Sequence, residues 1–494
     1  MTTFLRSNST TGGTRNNNNN SSPTTNGMEI PKEILQKAAE SALISSFVDL
    51  HLQPQSNNGI TTHSIKTKPT HHTGQTRKVV IEIDLDKEGA SSPTHCATSF
   101  FVKSIPTTGI APRALRELAV YEKIVPELYP AKTKARTAPD LLPTLAHCFL
   151  THETKSGKAL LFLENLKVSR FRSCDPDEDD FDFNHALLGV ETLARFHAQS
   201  YFMLRQLGGK AKGRMALVNK FPLLSASDNV KNVDKSGKLA QVYASFFEQI
   251  ILPVVEAEHP SLAFKLRRKV QDPEALFRKM GEFLEKEKYE NDDFYVICHG
   301  DYRVDHLLFK YDGSIVGEEP VECRMVDLKN VRLAPLASDL TFFMFTSLSP
   351  KMRDDFEEKL IAFYCDSFEA QLRLRYKQEG IQLKDEDFDI EDFHRKVEDQ
   401  YKRMLEFGFY ACVTALPLIY TGFSGILENL GEVYLENGTG NGGGTPTSGS
   451  SSVLDSLQKP EKFTQLAKEC LNSDKLKESI LGVVKRLVKA RVFN

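Results

Sequence analysis

The stretch Val296–Phe309, VICHGDYRVDHLLF, does most to limit what this chain can become. An apolar run ends at Cys298, then His299, Gly300 and Asp301 stand side by side, and apolar character returns at Leu307. A carboxylate on a short loop between two strands is held rigidly yet stays open to a ligand, which is how catalytic acids and bases are presented. Arg324-Met325-Val326-Asp327 repeats the device, a strand-like run closing on an acid. Two carboxylates at the ends of neighbouring strands can share a metal ion or divide the roles of base and metal ligand. Equally, they can cap the turns of a hairpin and do no chemistry.

The 494 residues suffice for a large core and two or more lobes. With 63 basic and 66 acidic residues the formal charge is −3, which argues against a nucleic-acid binder or a polybasic membrane anchor. Eight cysteines lie scattered, with no metal-ligand spacing, and MTTFLRSNST has no signal-peptide core. The expectation is a cytoplasmic protein with reduced thiols. The uncharged segment Phe407–Leu427 is long enough to span a bilayer, but three glycines and Pro417 read instead as a buried helix kinked near the proline.

Composition divides the chain. Residues 1–27, rich in Asn, Ser, Thr and Gly, cannot bury enough apolar surface to order, and 437–452 (NGTGNGGGTPTSGSSS) reads as a flexible loop. From 28 to 166 the pattern is a small lobe of mainly antiparallel sheet. Ile34, Leu35, Ala38, Ala39, Ala42 and Leu43 lie at helical spacing, VVIEIDL (Val79–Leu85) alternates as a strand, and Ser99–Val102 is a second strand ending in Lys103. Residues 53–76 give no clear signal. A helix over Ala111–Leu128 carries Glu117, and a hairpin is expected across Lys155–Lys158. From 167 to 494 long helices dominate, and the two-acid hairpin supplies the sheet of this lobe. The acidic run DPDEDDFD (Asp175–Asp182) lacks the glycine and closing glutamate of a calcium loop and reads as a solvated loop. His197, among Leu193, Ala194 and Tyr201 on a helix, reads as a hydrogen-bonded core residue.

A strand lysine, a glutamate on the next helix, a loop aspartate and a second aspartate after another strand, in that order, is the kinase layout. HGD in place of HRD, with no DFG or APE, resembles the aminoglycoside and choline phosphotransferase branch. SFFVKSIP, RELAVYEKIVP, LLFLENL, LARFHAQSY and MVDLKNVRLAPLASDLTFFMFTSL together resemble the ecdysteroid-kinase-like (CHK kinase-like) family of small-molecule kinases.

That resemblance implies an α+β, two-lobed protein-kinase-like fold that uses ATP with Mg2+, or Mn2+, to phosphorylate a hydroxyl of a small, steroid-like molecule. It implies that Lys103 meets the α- and β-phosphates and is held by Glu117. Glu164, Asn165 and Leu166 would form the hinge beside the adenine. Asp301 would orient or deprotonate the acceptor hydroxyl, Asp327 would hold the metal, and His299 and Asp339 would brace the loop. Two departures stand against the pattern. The family's metal-binding asparagine is His306 here, preceded by Asp305 as a substitute oxygen donor, and the family tryptophan is Arg303. Imidazole is a poor ligand for magnesium. The phosphate-covering glycine loop has only Gly74, or failing that Gly59, to represent it. The alternative these departures raise is a pseudokinase that binds a nucleotide, ligand or partner without turnover.

Overall fold

The computed structural model describes residues 60–69, 77–87, 96–106, 112–129, 144–155, 157–174, 181–225, 238–272, 275–284, 294–312, 319–384, 388–420 and 460–493, with short pieces between 24 and 42. Gly59, Gly74, the segment 437–452 and most of 1–27 and 175–182 lie outside the described residues. Within 1–27, Thr24–Thr25 pairs with Met28–Glu29.

The chain forms two compact units: residues 1–108 with 134–172, and residues 109–133 with 173–494. The smaller one is built on five antiparallel strands, β1 (Ile60–Pro69), β2 (Arg77–Lys87), β3 (Cys96–Pro106), β4 (Cys148–Glu153) and β5 (Lys158–Glu164), in the order β1-β2-β3-β5-β4. β1 arises from the stretch that gave no clear signal. Its ITTHSIKTKP is polar, but β-branched residues recur along it, as strands favour. β3 runs three residues past Lys103, so this lysine sits inside the central strand, opposite Lys78 of β2 and Leu161 of β5, and not at a strand end. The β4–β5 hairpin closes where Thr154 N–H donates to the Lys158 carbonyl at 2.7 Å and Gly157 adopts φ +71°. Ile34, Leu35, Ala38, Ala39 and Ala42 bury their helical face against Phe100, Val102, Leu160 and Phe162.

The larger unit claims the helix expected for the sheet lobe. That helix, α1 (Pro112–Ala119), continues through a π-helical turn (Val120–Ile124) into Val125–Leu128. It packs on the turn Leu328–Asn330. Arg116 donates to the Lys329 carbonyl at 3.3 Å, and Arg375 donates to the Leu128 carbonyl at 2.8 Å. The division into compact units therefore falls on both sides of this helix, and again between residues 172 and 173. α2 (Phe183–Gln206) starts with a capping box between Asp182 and His185.

The acids of the opening motif do not share one hairpin. β6 (Tyr295–Cys298) pairs with β9 (Arg332–Pro335), and β7 (Leu307–Tyr311) pairs with β8 (Pro320–Met325). Asp301 follows β6, and Asp327 follows β8. α3 (Ala337–Thr346), α4 (Pro350–Gln378) and α5 (Ile390–Ile419) complete the surround. α5 absorbs the apolar segment up to Ile419, with Pro417 inside its last turn and Phe407, Phe409, Tyr410 and Val413 buried. Among the described residues, no helix is long and apolar enough to cross a membrane.

Candidate active site

The loop bearing Asp301 is fixed from below by one buried carboxylate. Asp339, in the first turn of α3, accepts the His299 N–H at 2.5 Å through Oδ2 and the Gly300 N–H at 2.9 Å through Oδ1. Its Oδ2 also faces His197 Nε2 at 3.3 Å, and His197 Nδ1 meets the Tyr364 hydroxyl at 2.7 Å. With Asp339 ionised, His197 donates from Nε2 and accepts from Tyr364 at Nδ1. Burial alone would raise the Asp339 carboxyl. The hydrogen bond from His197, helped by the nearby Arg332 charge, outweighs it and holds the carboxyl below the usual range.

Gly300 is required where it stands. Its φ is +82°, and a Cβ there would lie 2.1 Å from the Asn330 carbonyl oxygen. The close approach locks the Asp301 loop to the turn that follows Asp327. His299 adds a second lock: Nε2–H donates to the Val326 carbonyl at 2.9 Å, and Nδ1 accepts the Asp301 N–H at 3.3 Å. Burial, then the neighbouring His306, push the His299 pKa down, which suits a neutral brace.

Asp301 emerges from this scaffold with its side chain 20% exposed. Arg303 Nε lies 3.3 Å from Oδ1, and Asn330 donates to Oδ2 at 3.1 Å. Burial works to raise the Asp301 pKa, but Arg303, His306 and His299 prevail and hold it at about 2. A carboxylate so acidic stays ionised at neutral pH, where it accepts hydrogen bonds and is a weak base.

Asp327 sits in the left-handed region, φ 71° and ψ 66°, which is uncommon for a residue with a side chain and clusters at functional sites. This conformation starts the 3₁₀ turn Leu328–Asn330. Lys329 Nζ lies 3.1 Å from Asp327 Oδ2, and His306 Nε2 lies 3.5 Å from the same oxygen. The other ring nitrogen of His306 donates to the Asp301 backbone carbonyl at 2.8 Å. The imidazole thus spans the two acids, bound to the backbone of one and facing the carboxylate of the other.

The three-donor set expected from the sequence, Asp327, His306 and Asp305, does not close around a common point. Asp305 is drawn onto Arg303, whose NH1 lies 2.6 Å from its Oδ2. Among the described residues, the one trio of histidine, cysteine and acidic side chains with ligand atoms within 4.8 Å of one another is His197, Cys298 and Asp339. That trio is spent on structure: Asp339 holds the loop, and the Cys298 thiol donates to the Ala334 and Pro335 carbonyls at 3.6 and 3.5 Å. Two magnesium ions in a kinase rely on an aspartate and an amide oxygen in concert. Asp327 and His306 fit one cation at most, of the softer Mn2+ kind, and do not fit a magnesium pair.

In the smaller unit, Lys103 and Asn165 are buried, at 6% and 8% exposure. Asn165 donates to the Ser99 hydroxyl at 2.7 Å, while Glu164 accepts from the His147 N–H at 3.4 Å and the Ser169 hydroxyl at 3.3 Å. The side chains expected at the hinge are thus occupied within the protein. Leu166 is buried, and its carbonyl accepts the Phe171 N–H at 2.9 Å. Glu117 is buried in the larger unit, on the helix beside Asp327's turn.

The sequence pattern does not single out Lys329 and Asn330, although both stand within three residues of Asp327, and it marks Arg303 as a replacement without showing it as a partner of Asp301. For the lysine and the arginine, charge beside a motif acid is the available signal.

A model of the ecdysteroid kinase-like family matches residues 76–376. Solved structures with some likeness include a choline kinase from Cryptosporidium parvum Iowa II, 10% identical, covering 92% of this chain and 97% of that one at a TM-score of 0.39. An ethanolamine kinase from Plasmodium vivax is 10% identical, covering 73% of this chain and 77% of that one at 0.36. A glucosamine kinase in complex with glucosamine, ADP and inorganic phosphate is 12% identical, covering 76% and 98% at 0.24. No curated protein matches the sequence.

Proposed function

Because the chain belongs to the ecdysteroid kinase-like family, with its protein-kinase-like α+β fold, we propose that it is a small-molecule kinase that moves the γ-phosphoryl group of ATP to a hydroxyl. The observation that carries this is the Asp301 loop. A carboxylate is held at about 2 on a backbone locked by Asp339, His299 and Gly300, beside a second acid in a left-handed turn. Rigidity of this kind, maintained by buried groups around one partly exposed acid, is what positioning catalysis needs.

In this reading Asp301 accepts a hydrogen bond from the acceptor hydroxyl and points its oxygen at the γ-phosphorus. Phosphoryl transfer passes through a loose transition state that asks little of a base, so a weakly basic carboxylate can orient without removing the proton early. The acceptor oxygen forms a bond to phosphorus, the bond from phosphorus to the β,γ-bridging oxygen breaks, ADP leaves, and the hydroxyl proton passes late through Asp301 to solvent. Lys103 meets the α- and β-phosphates, while the backbone of Glu164, Asn165 and Leu166 receives the adenine. Asp327 and His306 are the groups toward which one divalent ion, Mn2+ before Mg2+, would be drawn. When bound, it would neutralise phosphate charge. The acceptor is a hydroxylated small molecule of steroid-like character, an assignment supported by the family alone. Location in the cytoplasm is supported by the seven described cysteines, all free thiols.

A pseudokinase is the second reading, and the contact between Arg303 and Asp301 favours it, since a guanidinium at 3.3 Å competes with an incoming hydroxyl. Titrating ATP against the melting temperature of the full chain tests the nucleotide part of both. Saturation at about 100 times Kd stabilises by about 2.7 kcal/mol. The wild type is expected to shift and Lys103→Ala to lose the shift. No shift at millimolar ATP, with or without metal, would refute the kinase reading.

A further inference from the structure

The group that meets Asp327 where a divalent ion is expected is a lysine. Lys329 Nζ and Asp327 Oδ2 are 3.1 Å apart, and each side chain is only 11% exposed. Residues two apart on a regular helix face different ways. Here the left-handed backbone of Asp327 (φ 71°) turns the chain so that Lys329 comes back over its own motif acid.

The turn is also pinned on every side. Leu328 is fully buried, the Lys329 carbonyl accepts from Arg116 at 3.3 Å, and Asn330 is tied to Asp301 at 3.1 Å. This is not a surface lysine that wanders onto a convenient acid. Arg303 plays the matching part nearby, 3.3 Å from Asp301 and 2.6 Å from Asp305. The loop and turn therefore carry two permanent cations among three carboxylates. In the magnesium-pair arrangement, ions supply that positive charge. The donor set here does not fit such a pair, and the charge is built into the chain.

We propose that the Lys329 ammonium takes the place of the divalent cation on Asp327, so that this protein binds nucleotide phosphates without a divalent metal. An ammonium has three donors and can bridge a carboxylate to phosphate oxygens, as a metal ion does, while remaining covalently attached. Added metal then competes with Lys329 for Asp327 instead of completing the site. The inference rests on the kinase reading, because it needs nucleotide phosphates to reach Asp327.

The test is calorimetric titration of ATP into the full chain, in EDTA and in excess Mg2+ or Mn2+, with wild type, Lys329→Met and Lys329→Arg. Wild-type affinity in EDTA should fall within about threefold of that with either metal. Lys329→Met should weaken ATP at least about tenfold in EDTA and recover with Mn2+, while Lys329→Arg keeps binding in EDTA. Wild-type binding that appears only with metal overturns the proposal, and this comparison needs no variant. Equal loss in EDTA and in Mn2+ for Lys329→Met also overturns it, since the lysine then acts in folding alone. Absence of ATP binding in every buffer refutes the kinase reading itself, and this proposal with it.

Discussion

Replacing Arg303 with methionine should destabilise the protein in a way that depends on pH, and the sign follows from Asp301. In the wild type the Asp301 carboxyl is held at about 2 against an ordinary value of 3.8, with the guanidinium the largest opponent of burial. That difference corresponds to about 2 kcal/mol favouring the folded state, since each tenfold change is about 1.4 kcal/mol. Because the folded value lies below the unfolded one, this contribution is complete above about pH 4 and is lost only as pH falls toward 2. In Arg303→Met, burial is no longer answered by the guanidinium, so the carboxyl rises to or above its ordinary value. The variant is then least stable at neutral pH and gains relief as acid protonates Asp301. The freed Asp305, 24% exposed, adds under about 1 kcal/mol. Urea unfolding at pH 7, 4 and 2.5 should show a gap of about 2–3 kcal/mol at pH 7 that persists to about pH 4 and narrows below it. A gap of constant size across that range would mean that Arg303 is a packing residue, and the electrostatic account of Asp301 would be wrong.

Three further outcomes follow from the same scaffold. Asp339→Ala strips the acceptor from two loop N–H groups and from His197, and should cost about 3 kcal/mol or more in urea unfolding; Asp339→Asn should cost less. Gly300→Ala forces a Cβ to within 2.1 Å of the Asn330 carbonyl at a positive φ, so a loss of at least about 2 kcal/mol is expected, whereas Gly380→Ala, also at positive φ but with open space around it, should cost about 1 kcal/mol. His306→Asn restores an amide near Asp327 and should increase the response of ATP binding to Mg2+, read as a larger thermal shift with Mg2+ than the wild type shows.

Much of this arrangement was legible before any coordinates. Alternation in VVIEIDL marks a strand because successive side chains of a strand point to opposite faces, and the segment lies within β2; the order of Lys103, Glu117, Asp301 and Asp327 resembles the family whose model matches residues 76–376. The helical pieces 33–35, 37–39 and 41–42 were legible from periodicity too, their small and branched apolar residues recurring at helical spacing. Three things were not. The strand Ile60–Pro69 has too little hydrophobic contrast for periodicity to reveal it. The pairing of β6 with β9, and of β7 with β8, depends on tertiary closure, and a local pattern cannot tell it from one hairpin. The lysine on Asp327 depends on a left-handed aspartate, a backbone state that nothing in MVDLKN announces. Motif reading found the acids, whereas their cationic partners became visible only once the turn was built.

Whether the chain transfers phosphate is decided by following the γ-phosphoryl group itself. Full-length protein is incubated with γ-labelled ATP and a panel of hydroxylated, steroid-like and other small alcohols, and label is tracked out of ATP into an organic phosphate ester. The wild type should transfer label to at least one acceptor, and Asp301→Asn should slow that transfer by about 100-fold or more while still binding ATP. ATP binding with no transfer to any acceptor, or transfer by Asp301→Asn at the wild-type rate, would contradict the assignment of Asp301 and of the enzyme.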